Sequence, residues 1–266
     1  MTQKTMPVLI ALVFMIAACS TVPITGRKQF SFIPSSQMNS MADSSFRQLL
    51  GESKLSADLK TNQMVAEIGG RIALSAEHFL RENGMASEVA DYKWEFKVID
   101  APDTVNAFCM PGGKVAIYTG ILPVTKDADG LAVVIGHEVA HAIAKHGNER
   151  MSQQLLLQFG GLALAEAVKK KPEKTQQIYM SVFGLGSQYG LLLPYSREHE
   201  YEADHIGLII SARAGYNPEA AVVFWETMAS SGGGRTPEFL STHPAPANRI
   251  EAIKKEIPEA MKYYKK

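Results

Sequence analysis

Apolar positions recur along the chain in three different patterns. The first is an unbroken run from Met6 to Ala18 behind Lys4. It is too short to cross a hydrocarbon core of roughly 30 Å as a helix and has the length of a signal-peptide core. Between Ser35 and Glu82, Leu59, Met64, Val65, Ile68, Ile72 and Leu80 fall at helical spacing, which predicts two helices. From Trp94 to Ile99 the pattern alternates, and Val105 to Met110 and Lys114 to Tyr118 flank the turn Pro111-Gly112-Gly113, which together predict a three-stranded sheet. From Asp129 onward the spacing is helical, with breaks at Gly147, Pro172, Pro194, Gly215 to Pro218, Ser230 to Gly234 and Pro244 to Pro246. A predominantly helical α+β chain with one small sheet follows. Leu155 to Val168 and Ile178 to Leu193 are the longest apolar stretches after the first. Gln158, Glu166, Ser181, Ser187 and Gln188 interrupt them, so core helices are expected, with a membrane-leaning hairpin as the alternative.

The N-terminal run ends in Ile16-Ala17-Ala18-Cys19, which resembles the bacterial lipobox. That resemblance implies removal of residues 1–18 and lipidation of Cys19; a plain secretory signal is the alternative. Ser20, where an aspartate would resemble an inner-membrane retention signal, favours an outer-membrane anchor facing the periplasm. The expected organisation is a signal over 1–18, a lipidated tether over 19–34 and a single domain over 35–266. Cys109 is then the only cysteine left and reads as a small hydrophobe. Composition narrows the field further. With 46% hydrophobic and 20% charged residues over 266 positions, disorder is excluded. Twenty-seven basic residues balance twenty-seven acidic ones, so no global field would gather a nucleic acid.

Chemistry concentrates in two segments. Leu131 to Ile143 is an apolar helix carrying three polar residues that are costly to bury, His137, Glu138 and His141. Residues four apart share a helix face, so both imidazoles can bind one ion, while Glu138 can reach a water on it. This is the HExxH arrangement of zinc peptidases. A catalytic zinc takes three protein ligands and keeps one position open, so a third ligand must come from elsewhere. His146 is rejected, because five residues past His141 it projects about 140° away around a straight helix. The metzincin spacing is absent as well. The segment Tyr195 to Asp204 supplies Glu198, Glu200 and Glu202 as candidates by charge. Glu200 and Asp204 lie four apart, so Glu200 could bind the metal while Asp204 accepts the free ring N–H of a ligand histidine.

His-Glu-Val-Ala-His at 137 to 141, followed some sixty residues on by Ser-Arg-Glu-His-Glu-Tyr-Glu-Ala-Asp, resembles the zinc metalloendopeptidases that include HtpX, the CaaX prenyl proteases and the Oma-type proteases. The likeness runs from about Trp94 to Arg249. It implies a zincin-type domain with one Zn2+ per chain held by His137, His141 and Glu200, and Asp204 behind them. Asn106-Ala107-Phe108 with Pro111-Gly112-Gly113 looks like the family's active-site edge strand, making Asn106, Ala107 and Gly113 substrate-binding candidates. Thr242-His243-Pro244 with Arg249 looks like its late His-Pro…Arg motif. The lipoprotein signal and the short C-terminus make the chain similar to short periplasmic lipoprotein members.

The expected function is hydrolysis of unfolded or misassembled envelope polypeptides, with Glu138 as general base and a substrate extended along the Asn106 to Tyr118 sheet edge. His243 and Arg249 could stabilise the oxyanion or hold the substrate, or His243 could fill the open zinc position at rest. A zinc exopeptidase and a non-catalytic, chaperone-like binding lipoprotein are the rival functions. A homo-oligomer and the envelope assembly machinery stand as candidate partners beside the polypeptide substrate and the membrane.

Overall fold

The computed structural model describes residues 19–22, 25–188, 192–231, 237–244 and 248–265. The expected signal over 1–18 therefore lies outside the described residues, as do parts of the expected breaks at 230–234 and 244–246. The elements in chain order are β1 (Cys19–Thr21), β2 (Lys28–Phe30), α1 (Ser35–Glu52), α2 (Leu59–Glu82), β3 (Glu95–Ile99), β4 (Ala107–Met110) and β5 (Lys114–Tyr118). They continue with α3 (Ala128–Ile143), α4 (His146–Val168), α5 (Glu173–Ser187), α6 (Leu193–Arg213), α7 (Ala220–Ser230), α8 (Glu238–Thr242) and α9 (Arg249–Met261). The chain forms two compact units, one of Ser35–Ala144 with His199–Lys266, the other of Lys145–Glu198 with the chain before Ser35.

The first unit is built around α3. Asp127 caps it by accepting from the Gly130 N–H at 2.9 Å, and every residue from Gly130 to Ile143 is buried. A helix apolar on every face apart from His137, Glu138 and His141 has to be enclosed on every side. On α2, Val65, Ile68, Ile72, Ala76, Phe79 and Leu80 make one buried stripe at helical spacing, which packs onto α3. The sheet has the order β3-β5-β4, with β3 parallel and β4 antiparallel to β5. The expected helix pair, three-stranded sheet and predominantly helical α+β class are all present. One detail of the expectation changes. Because β5 lies in the middle, Lys114 to Tyr118 is no edge, and only β4 and β3 have an outer side. The turn joining β4 to β5 holds Gly112 and Gly113 at φ +77° and +83°, and a Cβ on Gly113 would stand 2.6 Å from the Trp94 ring.

Three further differences follow. The break after the His-Glu helix falls at Lys145, whose φ of +58° is left-handed, and Gly147 lies inside α4. The expected tether is folded: in the second unit β1 pairs antiparallel with β2, and its chain is bound to α4. Arg27 donates to both carboxylate oxygens of Glu149 at 3.0 and 2.8 Å, and Asn148 Nδ2 donates to the Ile33 carbonyl at 2.7 Å. The expectation of core helices is overturned over 155–168 and, of the 178–193 stretch, over the described residues 178–188. Helix α5 has no buried residue, and Phe159, Leu162, Val182 and Leu185 are 62, 63, 65 and 57% exposed. The two helices cover each other with small residues and Phe183, whose ring a Cβ on Gly160 would approach to 3.3 Å, and their outer apolar stripes stay uncovered.

Candidate active site

The metal-binding candidates come from three elements of the first unit. His137 and His141 project from one face of α3, Glu200 from α6, and His243 from the C-terminal end of α8. What lets α3 and α6 meet is the absence of side chains at their crossing. A Cβ on Gly207 would lie 3.0 Å from the Cα and N of His137, and one on Gly136 would lie 2.1 Å from Ser211 Oγ and 3.0 Å from the Gly207 carbonyl. Backbone thus packs on backbone two turns along from Glu200 and beside His137. These two glycines carry no chemistry, and sequence reasoning missed them; their signal is a glycine inside an apolar run of each helix, Gly136 in Leu131–Ile143 and Gly207 in Ile206–Ile210.

The donor atoms converge. His141 Nε2 stands 3.1 Å from His137 Nε2, which stands 3.2 Å from His243 Nδ1 and 3.4 Å from Glu200 Oε2. Glu200 Oε2 is 3.2 Å from His243 Nδ1, and Glu200 Oε1 is 3.4 Å from His141 Nε2. All four residues are buried, with one ligand atom of each within 4.8 Å of the others. Nitrogen and oxygen ligands placed tetrahedrally about 2.0–2.1 Å from a zinc ion stand about 3.3 Å apart, so the donor set fits such an ion in both chemistry and spacing. Glu200 Oε1 is buried without a hydrogen-bond partner among the described residues, as expected of a carboxylate oxygen reserved for a cation. Of the three acidic candidates on α6, the cluster contains Glu200 and neither Glu198 nor Glu202.

A second layer fixes the first. Asp204 Oδ1 stands 3.0 Å from His137 Nδ1. Arg249 Nε and Nη2 donate to Asp204 at 2.8 and 2.9 Å, its Nη1 lies 3.0 Å from Glu200 Oε2, and its guanidinium carbon lies 3.7 Å from the centroid of the Trp225 ring. Arg249 is fully enclosed. The guanidinium offered by sequence for the oxyanion or the substrate is thus spent on two carboxylates behind the cluster. Trp225, the platform beneath it, was not singled out by sequence. Burial works to lower the basicity of His137, yet Asp204 and Glu200 outweigh it and hold its pKa at about 9. Burial would raise both carboxyls, but the imidazoles, led by His141, keep Glu200 far below the usual carboxylate range, and Arg249 followed by His137 does the same for Asp204.

Glu138 is buried one residue from His137, with Oε1 3.3 Å from His243 Nε2. The His243 ring lies against Phe239, their centroids 4.6 Å apart. The segment carrying both is tied to the sheet: the Phe239 N–H donates to the Val105 carbonyl at 3.0 Å and Asn106 Nδ2 to Glu238 Oε1 at 3.0 Å. Asn106 and Ala107 therefore lead into the edge strand β4 beside α3. Gly113 lies in the turn, its carbonyl taken by the Glu95 N–H at 2.9 Å and its N–H given to Met110. Cys109 is a free thiol, its pKa pushed well up by burial and then by the charge of Glu138, so it is no nucleophile. His146 starts α4 and is not a member of the cluster.

The model of Peptidase family M48 matches residues 70–257, which carry every donor described above. The chain belongs to peptidase family M48. Among M48 relatives, it is 35% identical over 244 residues to the mitochondrial metalloendopeptidase OMA1 of Schizosaccharomyces pombe, covering 90% of this chain and 66% of that one. The OMA1 of Saccharomyces cerevisiae is 39% identical over 179 residues, 65% of this chain and 49% of its own. The beta-barrel assembly-enhancing protease of Escherichia coli is 26% identical over 239 residues, 88% of this chain and 46% of its own. The chain thus spans about half to two thirds of the length of these M48 relatives. The likeness to the Oma-type branch read from the motifs is borne out. Among the described residues no helix is long and apolar enough to cross a membrane.

Proposed function

We propose that the protein is a zinc metalloendopeptidase of the cell envelope that hydrolyses unfolded or misassembled polypeptides. The observation carrying this reading is the buried cluster itself: donors at the spacing of a zinc tetrahedron, with a carboxylate, Glu138, beside them that is not needed as a ligand. His137, His141 and Glu200 hold the ion. Zinc bound there supplies a Lewis acid that acidifies water and polarises a carbonyl. Glu138 takes the proton of the attacking water at its carboxylate and hands it to the departing amide nitrogen. Asp204, 3.0 Å from His137 Nδ1, would accept the N–H of that nitrogen and leave the Nε2 lone pair for the ion. Arg249 acts as a positioning residue, balancing Asp204 and Glu200 rather than touching substrate. An extended substrate pairs with the outer edge of β4 from Asn106 and Ala107 onward.

We read His243 as the residue that closes the site. A catalytic zinc has three protein ligands and an open position, and here a fourth donor, His243 Nδ1, stands within that set. Withdrawal of His243 would leave His137, His141 and Glu200 as the ligands, and the hydrogen bonds of Glu238 and Phe239 to Asn106 and Val105 would link that withdrawal to the strand on which substrate pairs.

The relatives named as a beta-barrel assembly-enhancing protease and as metalloendopeptidases support the substrate class and internal cleavage, and a lipid on Cys19 would hold the enzyme at a membrane facing the periplasm. Incubation with unfolded and folded forms of one polypeptide whose termini are both blocked tests this. Internal cuts in the unfolded form alone are expected; loss of cleavage on blocking the ends would make it an exopeptidase.

A further inference from the structure

The uncovered helical hairpin of α4 and α5 is the largest feature that the peptidase chemistry leaves unused. Leu156, Phe159 and Leu162 follow one another at three-residue steps on α4, and Ile178, Val182 and Leu185 at four and three on α5. All six are exposed. Contiguous exposed apolar surface of this kind marks a docking face. Its inner face is already used, by Phe183 against Gly160 and Gly161.

Three observations say what covers it. The turn between the helices is basic, with Lys169, Lys170, Lys171 and Lys174 exposed against two glutamates, Glu166 and Glu173. The chain that begins at Cys19 belongs to the same compact unit and is bound to the root of α4 through Arg27 with Glu149 and through Asn148 with Ile33. Neither helix is long and apolar enough to span. Apolar stripes short of a span, with lysines at one end and the chain from the proposed lipid site Cys19 bound at the other, suit the boundary of headgroups and acyl chains.

We propose that the α4–α5 hairpin docks on an anionic lipid surface, its apolar stripes entering the acyl boundary and its lysine turn meeting the headgroups. The proposal takes from the proposed function only the anchoring at Cys19, and the two can fail separately. The chain is isolated from the producing envelope and reconstituted with phosphatidylethanolamine–phosphatidylglycerol vesicles whose acyl chains are brominated. Leu162→Trp and Val182→Trp are compared with Leu74→Trp, an equally exposed position on α2. The emission added at 162 and 182 is expected to be quenched at least about twofold, and that at 74 to be unchanged. Changing the three consecutive lysines to glutamate is expected to weaken the quenching on these vesicles. Chains that float with the vesicles but show 162 and 182 as unquenched as 74 overturn the proposal; a shift in that emission with protein concentration would assign the face to a second copy. Flotation lost in Cys19→Ser but present in the parent reports the anchor independently.

Discussion

Replacing Arg249 by methionine tests the layer behind the metal ligands. The side chain is fully buried, grips Asp204 with two hydrogen bonds and stands 3.0 Å from Glu200. Methionine keeps an apolar chain on the Trp225 ring and removes the charge together with the hydrogen bonds to Asp204 and to the Pro244 carbonyl. Two buried carboxylates then share the imidazoles alone, and removing one partner of a buried ion pair costs about 3–5 kcal/mol. A domain of this size loses about 2–4 °C of Tm per kcal/mol, so the metal-free variant should unfold roughly 6–20 °C below the parent. A divalent ion among the ligands replaces part of the missing positive charge on Glu200, so the deficit should narrow when zinc is added. Thermal unfolding of both proteins, with chelator and with zinc, reads both quantities. A metal-free Arg249→Met chain within about 1 kcal/mol of the parent, or a deficit that zinc does not reduce, would refute the assignment of Arg249 to charge balance.

Gly207→Ala puts a methyl 3.0 Å from the backbone of His137; about 1–3 kcal/mol of destabilisation and weakened zinc binding are expected, and unchanged zinc affinity by competition titration would show the helix crossing to be unimportant for the site. His243→Ala should keep its zinc and cleave casein several-fold faster than the parent, whereas a loss of cleavage with zinc retained would make His243 a participant in the reaction. In the metal-free protein the raised pKa of His137 contributes stability that is whole below pH 6.5 and lost as pH rises through about 9. Zinc has the opposite dependence because it must displace that proton, so affinity should climb over the same interval while metal-free stability falls; parallel trends in the two titrations would contradict the proton's place on His137.

The elements were legible wherever a period persisted: the stripe of α2, the alternation of β3 and the glycine turn between β4 and β5 all stand where the sequence puts them. So was the heart of the site, because His137, Glu138 and His141 are expensive in an otherwise apolar helix, and expense implies use. What was not legible is of three physical kinds. Left-handed Lys145 ends a helix without a glycine to announce it. The approach of α3 to α6 depends on Gly136 and Gly207, seventy residues apart, whose meaning exists only when the helices cross. An apolar stripe states that a face is to be covered but not by what, which is why α4 and α5 read as core helices and stand open. Arg249 belongs to the same class: a charge near a motif suggests contact with substrate until its partners, Asp204 and Glu200, are seen to use it up.

The most direct test of the account is metal content and casein cleavage of the parent beside Glu138→Gln. Among the described residues the cluster of possible ligands does not include Glu138, so the substitution should leave binding untouched: about one zinc per chain in both proteins, with cleavage in the parent only. Cleavage persisting in Glu138→Gln with zinc bound would contradict the mechanism.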